Sequence, residues 1–126
     1  MGYVYYNPNP KALRVGDCTV RAISKLLSQD WETTYIQLCL QGLEMNDMPS
    51  SNNVWSSFLM SKGYQRYIII DSCPNCYTVK DFCIDHPTGD YLLCTGTHVV
   101  AVMDGGNYFD TWDSGDEVPM FYFRKE

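Results

Sequence analysis

The chain has 126 residues and a formal net charge of −6 at pH 7, and this length suits one domain, residues 1–126. The acidic balance argues against a nucleic-acid partner, and no apolar run of about 18 residues exists to cross a membrane. The first residues also lack the charged and apolar regions of a signal peptide, so we expect a cytoplasmic protein. Its six cysteines are then expected to be thiols, metal ligands or catalytic groups rather than disulfides.

Helical spacing of apolar residues predicts three helices in the first half of the chain. The first begins at Cys18, and Asp17 stands before it in the position of an N-cap. The second follows Asp30 and ends near Gly42, where a polar loop begins. Gly63 ends the third as a C-terminal cap residue. The three helices are predicted over about residues 18–27, 31–42 and 54–62.

A cysteine-rich segment follows these helices. Cys73 and Cys76 form a CxxC pair, and Cys83 and His86 form a CxxH pair, which together make a set of the kind that binds structural zinc. Only six residues separate the two pairs, which is short for a zinc site. Cys83 also fits the inward face of a short helix that the capping-box sequence TVKD opens at Thr78. We therefore expect no stoichiometric metal, and these four residues are the candidates if one is present.

Strand-like patterns make up most of the second half. The segment YIII at 67–70 is apolar and rich in β-branched residues, which predicts a buried strand. Further strands are predicted in the segments YLLC (91–94), HVVAVM (98–103), NYFDTW (107–112) and VPMFYF (118–123). Helices followed by strands predict an α+β fold in which N-terminal helices pack on a C-terminal antiparallel sheet.

The sequence DGGN at 104–107 predicts a hairpin between two of these strands. Its two glycines can both adopt positive φ, which suits a two-residue turn. Counting outward from such a turn places His98 opposite Asp113, and directly opposed residues share a face of the sheet. An imidazole beside a carboxylate is the orienting half of a catalytic triad, so we predict that Asp113 orients His98.

Cys18 stands where a nucleophile would be activated. The thiolate is the reactive form, and a helix N-terminus carries roughly half a positive charge that favours an anion. A protonated His98 would lower the pKa of the thiol further, and the backbone N–H of Cys18 could donate to a developing oxyanion. The alternative is that Cys18 is a small buried core residue, as free cysteines often are.

Three segments resemble the papain-like cysteine peptidase superfamily, and within it short bacterial and phage-type domains related to double-glycine leader peptidases. They are Gly16-Asp17-Cys18 with the helix after it, the HVVAV strand opened by His98, and DTWD at 110–113. The resemblance implies a papain-like fold, with the nucleophile at the N-terminus of the central helix and the histidine and its acid on the sheet. It touches both ends of the chain.

The resemblance also bears on the acid and on the oxyanion donor. DTW is similar to the Asn-Ser-Trp segment of larger relatives, which implies Asp110 as the orienting acid in place of Asp113. Relatives usually carry a Gln a few residues before the cysteine as an oxyanion donor, and no Gln stands there in this chain. Asn7 or Asn9 is the candidate replacement.

Together the residues and the resemblance predict a papain-like thiol hydrolase. We expect a cysteine peptidase that needs no cofactor and cleaves a peptide or isopeptide bond in a peptide or protein substrate. The alternative is a catalytically inactive binding module of the same fold, for example one encoded by a phage, that sequesters a host protein or ligand. The pattern does not indicate an oligomeric state.

Overall fold

Four helices and six strands make up the part of the chain that the structure, a computed structural model, describes, which is residues 2–125. This architecture agrees with the predicted α+β class. In chain order the elements are β1 (Gly2–Tyr5), α1 (Cys18–Leu27), α2 (Trp31–Met45), α3 (Asn52–Ser61), β2 (Tyr64–Ile68), α4 (Val79–Asp85), β3 (Tyr91–Cys94), β4 (Val99–Met103), β5 (Asn107–Asp110) and β6 (Phe121–Lys125).

The strands form one mixed sheet in the order β1-β5-β4-β3-β6-β2. The pairs within it are antiparallel except that β1 runs parallel to β5, with Tyr3 opposite Tyr108. The prediction of a wholly antiparallel C-terminal sheet is therefore wrong at one edge, because a strand from the N-terminal segment adds to β5. The backbone N–H of Tyr6 continues this contact by donating to the carbonyl of Asp110 over 2.9 Å.

Helix α1 occupies the predicted residues and packs on the sheet at β4 and β5. Ile23 and Leu26 are buried against Ala101 and Phe109 in the larger of two hydrophobic clusters. The apolar residues whose spacing predicted the helix thus form the face that the helix buries. This packing fixes the start of α1, and therefore Cys18, relative to the strands.

Helix α4 covers the opposite face of the sheet. Its capping box is present as predicted: the backbone N–H of Thr78 donates to the carboxylate of Asp81 over 3.0 Å, and the Asp81 N–H donates back to the Thr78 hydroxyl. Cys83 and Phe82 point inward and pack with Val100 in the smaller cluster.

Two element predictions are wrong, for reasons of tertiary contact. β2 is an edge strand that pairs only with β6 and ends at Ile68, so Ile68 is 65% exposed and Ile70, which lies beyond the strand, is 84% exposed. Helix α2 continues past Gly42 to Met45. A Cβ at Gly42 would lie 2.7 Å from the carbonyl oxygen of Asp47, so this glycine permits close approach of the following loop and does not end the helix.

The hairpin between β4 and β5 has a longer turn than predicted. Met103 pairs with Asn107, so the turn has three residues, and Asp104, Gly105 and Gly106 all adopt positive φ. The predicted register, counted from a two-residue turn, is therefore wrong by one residue. Every cross-strand pairing further along the hairpin changes with it.

No helix within residues 2–125 is long and apolar enough to cross a lipid bilayer.

Candidate active site

Three elements bring their ends together at one end of the sheet. Cys18 is the first residue of α1, His98 directly precedes β4, and Asp110 is the last residue of β5. Because β4 and β5 are antiparallel neighbours, the beginning of one and the end of the other lie side by side. The packing of α1 across these two strands places its N-terminus at the same end.

The imidazole of His98 lies between the Cys18 thiol and the Asp110 carboxylate. Its Nε2 donates to Oδ2 of Asp110 over 2.6 Å, and the imidazole lines the same cavity as Cys18. The Trp112 ring lies beside the imidazole, with 5.0 Å between ring centroids. The backbone N–H of His98 donates to the Thr95 hydroxyl over 3.2 Å, which fixes the loop that carries the ring.

The side chain of Asp110 is 1% exposed and is held from several directions. Besides His98, its carboxylate accepts from the Ser114 hydroxyl over 2.7 Å, the Thr111 backbone N–H over 2.8 Å and Nη2 of Arg21 over 2.9 Å. A buried carboxylate with this many donors keeps its charge and its orientation. Burial raises the pKa of Asp110, but the hydrogen bonds from His98 and Ser114 outweigh it and hold the pKa below 3.8.

The same contacts set the charge of the thiol and the imidazole. Burial lowers the pKa of His98, but the hydrogen bonds with Asp110 and Cys18 reverse this and raise it to about 9. Burial raises the pKa of Cys18, while the hydrogen bonds from His98 and from the Val99 backbone N–H lower it, and the result lies below 9.0. The arrangement therefore favours a thiolate beside an imidazolium, which is the reactive state of a nucleophilic cysteine.

Arg21 connects this group to Asp17, the residue before Cys18. Its side chain is 7% exposed, and its two terminal nitrogens bind the carboxylates of Asp17 and Asp110. The second oxygen of Asp17 accepts from Nε1 of Trp31 over 2.8 Å. The Asp17 carboxylate therefore makes no capping hydrogen bond at α1, although the residue occupies the predicted N-cap position. Sequence reasoning missed Arg21, and the signal that could have found it is the Asp-Arg pair at i and i+4.

Asp113, the predicted orienting acid, lies elsewhere. Its carboxylate accepts from the Tyr108 hydroxyl and from the Gly115 backbone N–H over 3.0 Å, and His98 is bound by Asp110 instead. The prediction that Asp113 pairs with His98 is wrong because the turn has three residues. Counting outward from the three-residue turn sets Trp112 opposite His98, and Asp110, two residues away on the same face, binds the imidazole, as the resemblance implied.

Asn7 and Asn9, the expected replacements for the missing Gln, form hydrogen bonds within their own loop. Nδ2 of Asn7 donates to the carbonyl of Leu13 over 3.1 Å, and Oδ1 of Asn9 accepts from the Lys11 backbone N–H over 2.9 Å. Neither amide lines the cavity that contains Cys18 and His98. The predicted oxyanion role of Asn7 and Asn9 therefore has no geometric support.

A different amide, that of Asn52, faces the thiol cavity. This cavity has a volume of about 380 Å³, and Cys18, His98 and Asn52 are among the residues that line it. Oδ1 of Asn52 accepts from Nε1 of Trp55 over 3.0 Å, while its Nδ2 makes only a long contact of 3.5 Å with the Gly96 carbonyl. The amide N–H₂ group is thus the side available to a ligand. The sequence offered no signal for this residue, which belongs to a segment predicted as a polar loop.

The four zinc candidates are not brought together. Cys73 and Cys76 form a disulfide, so the expectation that every cysteine is reduced is wrong for this pair. Cys83 is buried, which raises its pKa to about 11, and the His86 ring stacks on Phe82 at 3.8 Å between centroids. Within the described residues, no group of three or more His, Cys, Asp or Glu side chains is arranged to hold a metal ion.

No protein-family model, no curated protein and no solved structure matches the chain.

Proposed function

We propose that this protein is a papain-like thiol hydrolase, a cysteine peptidase or amidase that uses Cys18, His98 and Asp110. The observation that carries the proposal is the hydrogen bond from His98 to the buried Asp110 carboxylate, with the imidazole lining the same cavity as Cys18 at the N-terminus of α1. The pKa shifts support these roles, because the pKa of Cys18 is lowered and that of His98 is raised, in both cases against the effect of burial. The fold is the α+β arrangement that such a site needs, with the nucleophile on a helix and its base on the sheet.

The proposed reaction has two steps. The Cys18 thiolate attacks the acyl carbon of an amide, and His98 gives its proton to the leaving nitrogen as the carbon–nitrogen bond breaks, which leaves a thioester on Cys18. His98 then removes a proton from water, which attacks the thioester and releases the acid and the thiolate. The backbone N–H of Cys18 and the amide of Asn52 are the proposed donors to the oxyanion in both steps.

The proposed substrate is a peptide or protein with a peptide or isopeptide bond, and no step calls for a cofactor. We also keep the cytoplasm as the proposed location, because Cys18, Cys39, Cys83 and Cys94 are free thiols. The Cys73–Cys76 disulfide is the feature that an oxidising compartment would explain better. Comparing the intact mass of protein isolated from cells under alkylating conditions with that of reduced protein decides whether this disulfide forms at the proposed location.

Selective alkylation tests the proposal without a known substrate. Native protein is treated with substoichiometric iodoacetamide near pH 6, and the adducts are mapped by mass spectrometry. Cys39 is the matched internal control because it is also a free, half-buried thiol but has no histidine partner among its described contacts. Adducts concentrated on Cys18 support the proposal, and labelling spread evenly over the thiols contradicts it.

A binding module of the same fold is the second candidate. The observation that favours it is that neither Asn7 nor Asn9, the expected oxyanion donors, lines the cavity that contains Cys18 and His98. Such a module, for example one encoded by a phage, would sequester a host protein or ligand without cleaving it. It predicts no turnover of a peptide library under conditions in which Cys18 remains intact, whereas the hydrolase predicts cleavage that is lost in Cys18→Ala.

A further inference from the structure

A second cavity is lined by residues of helix α3 and of the neighbouring strands β2 and β6. It has a volume of about 310 Å³, at the lower end of the range of about 300–1,000 Å³ that is typical of ligand sites. Its lining comes mainly from Asn52, Asn53, Ser56, Ser57, Arg66 and Phe121. We call this space the polar cavity.

The guanidinium of Arg66 is held in this cavity without a carboxylate partner. Within residues 2–125 it makes no ion pair and no hydrogen bond, and it lies over the Phe121 ring, 4.4 Å from the ring centroid. Phe121 is buried and stacks on Trp55, with 6.3 Å between ring centroids, so the ring beneath the guanidinium is fixed. A guanidinium stacked on a ring keeps the N–H groups at its edge free for an anion.

Carboxylates are plentiful in this chain, but none lines the polar cavity. The chain has 15 Asp and Glu residues against 9 Lys and Arg residues, and Arg66 is the one charged residue among the described residues of the lining. Lys25 and Lys80, two other cations at the surface, each pair with an aspartate over 3.2 Å. The polar cavity therefore offers an external anion a positive charge that the described chain does not neutralise.

Neutral hydrogen-bonding groups surround this charge. Among the described residues, the side chains of Asn53, Ser56 and Ser57 find no hydrogen-bond partner, and the N–H₂ group of Asn52 makes only its long contact with Gly96. Amide and hydroxyl groups can donate to the oxygens of an anion or bind polar groups next to it. The lining thus combines one cation with several unused donors.

The charge of the lining selects among anions. Arg66 supplies one positive charge, which balances one carboxylate. A phosphate monoester carries about −1.5 to −2 near pH 7, so part of its charge would remain unbalanced in a chain whose net charge is −6. The planar guanidinium also matches the two oxygens of a carboxylate with two parallel hydrogen bonds. A carboxylate is therefore the better match.

We infer that the polar cavity is a carboxylate-binding site, in which Arg66 binds the carboxylate and the amides and hydroxyls of α3 bind the polar groups next to it. The carboxylate comes from a peptide, either from its C-terminus or from an acidic side chain. Asn52 lines both the polar cavity and the thiol cavity, so the two spaces adjoin. The inference concerns binding alone and does not depend on the proposed hydrolysis.

Small probes that differ in charge test the inference. Native protein is titrated near pH 7 and at constant ionic strength with N-acetylglycine, which has a C-terminal carboxylate, and with the α-amide of N-acetylglutamic acid, which has an acidic side chain. N-acetylglycinamide is the uncharged control, and methyl phosphate tests the more highly charged anion. NMR shifts of the Arg66 Nε–H and of the Asn53 and Ser57 backbone N–H groups report binding. We expect saturable shifts with at least one carboxylate, weaker binding of methyl phosphate, and none of the amide.

Variants of the two cations identify Arg66 as the group that binds. Arg66→Gln should weaken carboxylate binding on the order of tenfold, and Arg66→Lys should weaken it less, because it keeps the charge but loses the paired hydrogen bonds. Arg66 is exposed, so the fold should tolerate both changes. Lys62→Gln is the matched control, because Lys62 is also an exposed cation over an aromatic ring, that of Phe58, but does not line the cavity. Its affinity should equal that of the unmodified protein.

Each outcome supports or overturns the carboxylate site. Saturable binding of one carboxylate that is lost in Arg66→Gln and kept in Lys62→Gln supports it, and the carboxylate that binds more tightly identifies the source as a C-terminus or an acidic side chain. No saturable shift with either carboxylate overturns it, as does equal binding of the uncharged amide or of methyl phosphate. Equal weakening in Arg66→Gln and Lys62→Gln also overturns it, since the attraction would then be to positive charge in general. The selectivity of iodoacetamide for Cys18 tests the proposed function separately.

Discussion

Arg21 and Asp110 form an ion pair that is almost free of solvent, with 2.9 Å between Nη2 and Oδ1 and with side chains 7% and 1% exposed. Arg21 binds Asp17 at the same time. Arg21→Met should therefore leave two buried carboxylates without their cation and lower the free energy of unfolding by about 3–5 kcal/mol. Urea denaturation followed by circular dichroism measures the change.

Lys80 and Asp116 provide the matched exposed pair. They lie 3.2 Å apart with side chains 50% and 88% exposed, and such pairs contribute about 0–1 kcal/mol. Asp116→Asn should therefore change the free energy of unfolding by less than about 1 kcal/mol. Equal losses in Asp116→Asn and Arg21→Met would contradict a special role for the buried network.

The carboxylate that binds His98 can be identified from the pH titration of the His98 imidazole. Removing the charge of Asp110 in Asp110→Asn removes the strongest contact that raises the pKa of His98, so the pKa should fall from about 9. Asp113→Asn should leave it unchanged, because Asp113 is bound to Tyr108 and Gly115. NMR titration of the imidazole protons gives both values, with His98→Asn used to assign the signal. A fall in Asp113→Asn alone would mean that the hairpin register described here is incorrect.

The rate of Cys18 alkylation should depend on pH in a specific direction. The pKa of the thiol lies below 9.0, so the rate should rise with pH and reach half its maximum below that value. In His98→Asn the hydrogen bond and the charge of the imidazolium are lost while burial remains, so the midpoint should move to higher pH. Stopped-flow alkylation across pH 5–10 is the measurement. A midpoint that does not move would exclude His98 as the group that activates the thiol.

Thiol counting and metal analysis test the cysteine assignments. In denaturant without reductant, a thiol reagent should find four free cysteines, and after reduction it should find six. Elemental analysis should find no stoichiometric zinc, because Cys73 and Cys76 are bonded to each other and Cys83 is buried. One zinc per chain that is lost in Cys73→Ser would overturn both assignments.

Features set by neighbouring residues could be predicted from the sequence. Helix α1 has the predicted boundaries because its apolar spacing matches the face that it buries, and the α4 capping box depends only on Thr78 and Asp81. Cys18 and His98 were identified by the same kind of local signal, a helix start and a strand start. Both residues line the same cavity in the structure.

Features decided between distant segments could not be predicted. GYVY becomes a strand only because it pairs with β5, more than a hundred residues later, and nothing in the four residues indicates that partner. DGGN is compatible with turns of two or three residues, and the longer one requires Asp104 to adopt a φ of +54°, which aspartate tolerates. That single choice decides whether Asp110 or Asp113 reaches His98.

The separation of the site residues along the chain has a consequence for the newly made protein. Arg21 and Asp110 are 89 positions apart, and β1 cannot pair until β5 has been made. During synthesis the residues of α1 therefore leave the ribosome long before the carboxylate that orients His98 exists. Until Asp110 has been made, His98 therefore lacks its carboxylate partner, and a chain truncated before Asp110 cannot form the hydrogen bond that orients the imidazole.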